Sequence, residues 1–262
     1  HEPLPGVDEA RAQAQAIAVA TRVRSLLGEV GAEPTLEVDA DLRPEGRNGP
    51  LVRTLGSFAE YYERWSAPWE SQALLRARPV AGDEGLGERF VALIDPIRFP
   101  AGGASPTVVK EVRRLKARME AERLPRGVDP ARHLKLGRGG LSDVEWTAQL
   151  LQLQHAATVP GLRTTSTLGA LAAAREAGLL SAEDMALLEE AWVFASRLRN
   201  AVVLWSGRIG GASADILPHD RRDLIGLDRL LGNPPGNHAD LADSYLRVAR
   251  GARGVVDRVF YG

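Results

Sequence analysis

Apolar and acidic residues alternate along one short stretch in the first half of the chain, residues 36–42. A period of two predicts a β-strand with one apolar face and one face that carries three carboxylates. Pro44 would end this strand, because proline has no N–H to donate to a ladder. Residues 45–49 predict a turn, after which residues 51–53 are predicted to pair back as a short strand. The apolar face is Leu36, Val38, Ala40 and Leu42, and the acidic face is Glu37, Asp39 and Asp41.

Helical periodicity is found on both sides of the predicted strand. Asp8 is suited to cap a helix that continues to Leu27. Three shorter helices are predicted after the turn, with Ser57 as the cap of the first and Pro68 at the start of the second. Their ranges are 58–65, 69–78 and 84–94. A helix, a loop and a strand in this order are what one repeat of an α/β sheet would leave if its first strands were removed.

An irregular stretch rich in proline and glycine, residues 95–105, separates this part from a second part that is helical throughout. Apolar stripes at helical spacing and short loops predict an up-and-down bundle. The predicted bundle helices are 105–122, 141–155, 167–177, 181–208, 221–231 and 240–261. The predicted fold class is therefore α+β, with a truncated α/β domain at 1–98 and an all-α helical bundle domain at 99–262.

Composition restricts the partners and the compartment. A net charge of −1 over 262 residues gives no general attraction to nucleic acid or to a membrane, and no apolar run reaches membrane-spanning length. The chain has no cysteine, which excludes thiolate metal sites and agrees with a reducing cytoplasm. The five histidines have no ligand spacing, so we assign them no metal. The first residue is His1 rather than methionine, and we expect a fragment.

Three carboxylates on one strand face repel each other unless a cation lies among them. Two explanations stay open: a solvated edge strand, whose charge prevents aggregation, and a site for a divalent metal with oxygen ligands. Asp39 is central in the row and has the small Ala40 beside it, so it has the most room for a hard cation. Asp41 is a second candidate ligand. Arg43 and Arg47 follow, and they would either bind a triphosphate or neutralise the carboxylates.

A glycine-rich turn opens the helix predicted at 141–155. Lys135 and Arg138 flank its glycines, and backbone N–H groups at such a helix start attract anions. The spacing is not that of a Walker P-loop. Asp143 and Glu145 follow in the first turn of the helix, where compensation of the helix dipole is a sufficient explanation for acidic residues.

Two sequence blocks resemble the glutamine synthetase adenylyltransferase family. The first reads VDxxLRPxGxxGxLV from Val38 to Val52. The second reads KLGxGGLxDxEW from Lys135 to Trp146, and it is similar to the helical domain that follows the catalytic domain in that family. The blocks occur in the expected order, and the resemblance covers essentially the whole chain. Between them lie four shorter matching segments, Tyr61-Tyr62, Trp69-Glu70, Gln72-Ala73-Leu74 and Arg76-Ala77-Arg78.

The resemblance implies transfer of AMP from ATP to a tyrosine hydroxyl of glutamine synthetase, with two Mg²⁺ ions at the triphosphate. It implies that residues 1–98 are the C-terminal part of a nucleotidyltransferase-like domain. It also implies that Asp39 is one of three catalytic carboxylates, and that the other two lie upstream of His1. We therefore expect a C-terminal piece of a larger enzyme that is inactive, or nearly so, alone. The same resemblance implies that Lys135 and Arg138 contact nucleotide phosphates, and that glutamine synthetase and a PII-type signalling protein are partners.

Enzymes of this family have two similar halves, one that adds AMP and one that removes it by phosphorolysis. The sequence ends at residues 260–262, where the last predicted helix also ends. We expect this position of the end to favour the C-terminal, adenylylating half. Two alternatives stay open: the deadenylylating half, and a non-catalytic helical module that docks on glutamine synthetase or on the sister domain.

Overall fold

The computed structural model describes residues 1–31, 35–207, 212–233 and 239–262. Within these residues the fold is all-α, and the β-type pairing is one isolated antiparallel bridge between His133 and Ile216. The predicted α+β fold class is therefore wrong. Contacts divide the chain into two compact units, residues 1–100 and 101–262.

Residues 36–42 do not form the predicted strand. The Asp39 carboxylate accepts a hydrogen bond of 2.8 Å from the backbone N–H of Asp41, and the N–H of Arg43 donates to the carbonyl of Ala40 at 3.2 Å. These turn bonds compete with an extended ladder, as short acidic side chains often do. The alternating pattern of residues 36–42 therefore led to a wrong prediction of their conformation.

The apolar half of that pattern is not buried in this unit. Leu36 and Leu42 are 63% and 67% exposed. A strand also needs a neighbouring strand to pair its N–H and C=O groups. Residues 51–53, predicted as that neighbour, form a bend instead. Without a paired partner among the described residues, local turns determine the backbone.

Among the described residues, the first unit contains four α-helices, and the last three of them contribute to a small aromatic core. Tyr62, Leu74 and Ile94 are its buried members. The helices are α1 (Glu9–Leu27), α2 (Leu55–Trp65), α3 (Pro68–Leu74) and α4 (Glu84–Arg98). Asp8 caps α1 as predicted, by accepting from the N–H of Arg11.

Three details of the first unit differ from the prediction. Thr54 rather than Ser57 caps α2, so this helix begins three residues earlier. Helix α4 continues through Pro96 to Arg98, where an irregular connection was predicted. The second helix after the turn ends at Leu74, four residues before its predicted end at residue 78.

The second unit is a helical bundle, as predicted. Helix α8 packs against α10 and α6, and α6 packs against α7. Among the described residues, no helix is long and apolar enough to cross a membrane. The helices are α5 (Pro106–Arg123), α6 (Leu141–His155), α7 (Thr167–Glu176), α8 (Ala182–Ser206), α9 (Arg221–Leu230) and α10 (Ala239–Val256), which a π-helical turn extends over Asp257–Tyr261.

The buried face of α5 differs from its apolar stripe. Its fully buried side chains are Val109, Val112 and Lys116. A periodicity argument places apolar residues in the core and charged residues in solvent, so it does not predict a buried lysine. The reason for this exception lies in the partners that the lysine meets, which are described below.

Candidate functional site

All three acidic residues of 36–42 line a polar depression in the first unit. Its volume is about 570 Å³, and its lining includes Glu37, Asp39, Asp41, Arg43 and Arg47. The structure therefore brings together all of the candidate residues that the sequence placed in this unit. Helix α1 contributes Arg24 to the same depression.

Asp39 and Asp41 have different environments in this depression. The exposed Asp39 carboxylate accepts only the backbone N–H of Asp41 among the described residues, and it forms no ion pair with them. Asp41 is paired: its Oδ2 lies 2.7 Å from Nε of Arg47, and its Oδ1 lies 3.9 Å from Nη1 of Arg43. The less engaged carboxylate is therefore that of Asp39, the central residue of the acidic row.

Arg43 and Arg47 differ in how their side chains are held: that of Arg43 is anchored by hydrogen bonds, and that of Arg47 is exposed. Arg43 donates to the carbonyls of Ala40 and Gly49, at 2.7 and 3.2 Å, so its guanidinium holds the turn together. Arg47 has an 84% exposed side chain, and its hydrogen bond to Asp41 raises its pKa above the ordinary value. Of the two predicted phosphate ligands, Arg47 can therefore turn toward a ligand at little cost, since exposed ion pairs are weak.

The glycine-rich turn before α6 has almost no backbone N–H left for an anion. The N–H groups of Gly137 and Gly140 donate to backbone carbonyls, and that of Gly139 donates to the Asp143 carboxylate at 2.7 Å. The N–H groups of Leu141 and Ser142 donate to carbonyls of the same turn. The backbone basis of the predicted anion site is therefore absent, because these donors are already used.

The glycines are required by close packing instead. Gly139 has φ of +74°, and a Cβ there would overlap the carbonyl oxygen of Ala249 on α10. A Cβ on Gly137 would overlap the carbonyl oxygens of Pro130 and His133. The side chains of Lys135 and Arg138 are exposed, and no hydrogen bond or ion pair joins them to the described residues.

A buried ion cluster connects α5, α6 and α10 behind this turn. Lys116 is fully buried, and its ammonium donates to the carboxylates of Asp143 and Glu120. Arg253 donates to the same two carboxylates, at 3.1 and 3.3 Å. Burial by itself would lower the pKa of Arg253, but Asp143, Glu120 and Asp257 together raise it.

The cluster shows what the sequence reasoning missed. Asp143 was explained by the helix dipole, yet it is 1% exposed and receives hydrogen bonds from Gly139, Lys116 and Arg253. Buried charges require such partners. The sequence signal that could have indicated it is Lys116, one of only three lysines, at a position one turn after the buried Val112.

His133 holds the start of the same turn. Its ring is 2% exposed, and Nδ1 accepts the N–H of Leu136 at 3.1 Å, so the ring proton lies on Nε2. Burial lowers the pKa of His133 below its ordinary value of 6.5, an effect that outweighs the opposite one of Asp215. Protonation of Nδ1 would break the bond to Leu136.

We expect the bundle to lose stability in mild acid because of His133. A base whose pKa is lowered by folding binds fewer protons in the folded state, so its contribution is complete above about pH 6.5 and is lost as the pH falls toward the folded pKa. The urea midpoint should therefore fall between pH 7 and pH 5, and less steeply in His133→Gln. His219→Gln, at an exposed position, should keep the original slope; equal slopes in all three proteins would contradict the prediction.

Two family models match the chain. Residues 1–93 match the model described as glutamate-ammonia ligase adenylyltransferase. Residues 110–260 match the model described as GlnD PII-uridylyltransferase. The two matched segments fall within the first and the second unit, respectively.

Curated relatives match the whole chain. Each of the following is named a bifunctional glutamine synthetase adenylyltransferase/adenylyl-removing enzyme, and this chain covers 26% of its length. The relative from Streptomyces avermitilis is 61% identical over 262 residues, or 100% of this chain. Those from Streptomyces coelicolor and Mycobacterium avium are 59% and 55% identical, over 100% and 99% of this chain. The chain thus spans about a quarter of the length of these relatives, and it belongs to the glutamine synthetase adenylyltransferase family.

Proposed function

We propose that this chain is part of an enzyme that transfers AMP from ATP to a tyrosine hydroxyl of glutamine synthetase and releases pyrophosphate. The names of its relatives support adenylyl transfer to glutamine synthetase. The observation that carries the proposal is the position of Asp39, a carboxylate without an ion pair among the described residues, in a depression that also contains Arg43 and Arg47.

Magnesium would be held here by Asp39, with Asp41 as a second ligand. Mg²⁺ typically binds one or two protein carboxylates and takes its other ligands from water and substrate phosphates. Asp39 fits this role directly, and Asp41 fits it once Arg47 turns away. The described residues contain no cluster of three metal-binding side chains. A bound magnesium ion would supply positive charge to the triphosphate.

The basic residues have separate proposed roles. Arg47 would leave Asp41 and bind a phosphate oxygen, while Arg43 keeps the turn in shape through its bonds to backbone carbonyls. Lys135 and Arg138 are proposed contacts to nucleotide phosphates through their side chains alone, because the backbone N–H groups beside them are used. A guanidinium can bind a phosphate with two parallel hydrogen bonds.

The proposed partners are glutamine synthetase and a PII-type signalling protein. The first is the substrate in the names of the relatives. The second is supported by the match of residues 110–260 to a model described as a PII-uridylyltransferase. The proposed compartment is the cytoplasm.

The experiment is the substitution Asp39→Asn in the full-length enzyme, with AMP addition and AMP removal measured on glutamine synthetase. We expect addition to fall by about 100-fold, the order seen when one group that stabilises the charge of a transition state is removed. Removal should stay within about twofold, if this chain belongs to the adenylylating half. Glu60→Gln, an exposed acid on α2 outside the depression, is the matched control and should change neither rate.

Each of the two alternative functions, removal of AMP and docking, predicts a different result. Loss of removal with intact addition would assign the chain to the deadenylylating half. Full activity in both directions would overturn the role of Asp39. Calorimetric titration of ATP with Mg²⁺ into this chain adds a test of the docking module: binding that Asp39→Ala abolishes supports the enzymatic proposal, and lack of any binding favours docking.

A further inference from the structure

The second unit contains a larger groove, and Arg138 is the one residue of its lining to which the proposed reaction gives a role. It lies between α5, the glycine-rich turn and α10, and its volume is about 920 Å³. Cavities that hold small organic ligands are typically of about 300–1,000 Å³. The space is therefore sufficient for a compact organic molecule with a polar head.

Close packing brings two arginines to one wall of this groove. Gly139 approaches α10 so closely that a Cβ on it would overlap the carbonyl oxygen of Ala249. The residues next to these two, Arg138 and Arg250, both line the groove. The contact between the turn and the helix thus brings the backbones of two groove-lining arginines close together.

The nearby carboxylates do not neutralise this pair. Among the acids that line the groove, Glu120 is bound to Lys116 and Arg253, and Asp257 is bound to Arg253 at 2.8 Å. Asp129 accepts the backbone N–H of Ala131 and has no ion pair with the described residues. Arg138 and Arg250 also have no hydrogen bond or ion pair with them. Arg138 and Arg250 are therefore the groove-lining cations that have no carboxylate partner among the described residues.

The rest of the lining is mainly apolar. Leu124, Leu136 and Leu246 contribute to it, together with small side chains such as Ala117 and Ala121. Binding sites for small molecules commonly combine an apolar surface with a few fixed polar groups that determine the orientation. An anionic head at the two arginines and an apolar body over the leucines and alanines would satisfy both parts of this groove.

We propose that this groove binds a small organic anion, a phosphate or carboxylate attached to an apolar body, with Arg138 and Arg250 as the ligands of the anionic head. A guanidinium forms paired hydrogen bonds with either kind of head. The site is complete within the second unit. The proposal therefore does not depend on the reaction assigned to Asp39 in the first unit, although it gives Arg138 an additional binding partner.

Calorimetric titration with three probes tests the site: phenyl phosphate, benzoate and inorganic phosphate. Phenyl phosphate and benzoate both contain a phenyl ring, but one carries a phosphate and the other a carboxylate. Their relative affinities therefore identify the preferred anionic group. We expect saturable binding of at least one of them, stronger than that of inorganic phosphate. Arg138→Gln and Arg250→Gln should each weaken it by tenfold or more. Ala121→Trp, which fills the apolar part, should abolish it.

Two matched controls separate this site from other anion binding. Arg229→Gln removes an exposed arginine outside the groove, and Asp39→Asn alters only the depression of the first unit; both should bind the probe as the original chain does. All substituted positions are exposed, and circular dichroism verifies that the variants are folded. Absence of saturable binding, or binding that the groove variants leave intact, would overturn the proposal. Neither result would bear on the role of Asp39 in AMP transfer.

Discussion

Replacement of Asp143 by alanine is expected to lower the free energy of unfolding of the second unit by about 3–5 kcal/mol, the cost of removing one partner from a buried ion pair. Asp143 accepts hydrogen bonds from Lys116, Arg253 and the backbone of Gly139. Its loss leaves the fully buried Lys116 ammonium with Glu120 as its remaining carboxylate. Urea unfolding monitored by circular dichroism measures the change through the midpoint of the transition.

Two further variants show whether charge is the cause. Glu189→Ala removes an exposed acid of α8, and such surface changes usually stay within about 0.5 kcal/mol. Lys116→Met combined with Asp143→Leu replaces both charges by apolar side chains, which often restores stability because no unpaired charge remains. The double variant should therefore be more stable than Asp143→Ala. An unchanged midpoint in Asp143→Ala would show that the cluster contributes nothing to folding.

Replacement of Gly139 by alanine is expected to destabilise the second unit by about 2–4 kcal/mol, from a left-handed backbone and an overpacked contact together. Gly139 has φ of +74°, and the new Cβ would overlap the carbonyl oxygen of Ala249. Either the turn or α10 must move, which would also displace the N–H that Gly139 donates to Asp143. Thermal and urea unfolding both measure this loss.

Gly178→Ala is the matched control for the Gly139 variant. Gly178 has nearly the same φ, +73°, but a Cβ there meets nothing within 4 Å. Its substitution should therefore cost only the backbone part, about 1 kcal/mol. The difference between the two variants measures the close contact. Equal losses at both positions would contradict the packing argument.

The helical bundle could be predicted from sequence because its signals are local. Helix α6 begins at Leu141 and ends at His155 as predicted, and its apolar residues Val144, Leu150 and Leu153 are buried. Helix caps can be predicted in the same way: the side chains of Asp8 and Ser105 both accept a hydrogen bond from a backbone N–H at the start of their helices. Periodicity and capping depend on neighbours a few residues apart, so one sequence contains enough information for them.

The acidic segment could not be predicted in the same way, because a strand depends on a partner as well as on its own pattern. The alternation at 36–42 suits a sheet, but the local hydrogen bond from Asp41 to Asp39 turns the backbone. The depression nevertheless contains the predicted site residues, since turn and strand alike keep neighbours in sequence close together. Lys116 was missed for a related reason: its fully buried partner Asp143 is 27 positions away along the chain.

The ion cluster also has a consequence for the order of folding events. The carboxylate of Asp143 and the guanidinium of Arg253 are separated by 110 positions in the sequence. Contacts between such distant residues form late, because closing a long loop costs entropy before any contact compensates for it. Helices α5 and α6 can therefore associate early and bring Lys116 to Asp143, whereas Arg253 reaches this carboxylate only when α10 docks. We expect docking of α10 to be the step that completes the cluster.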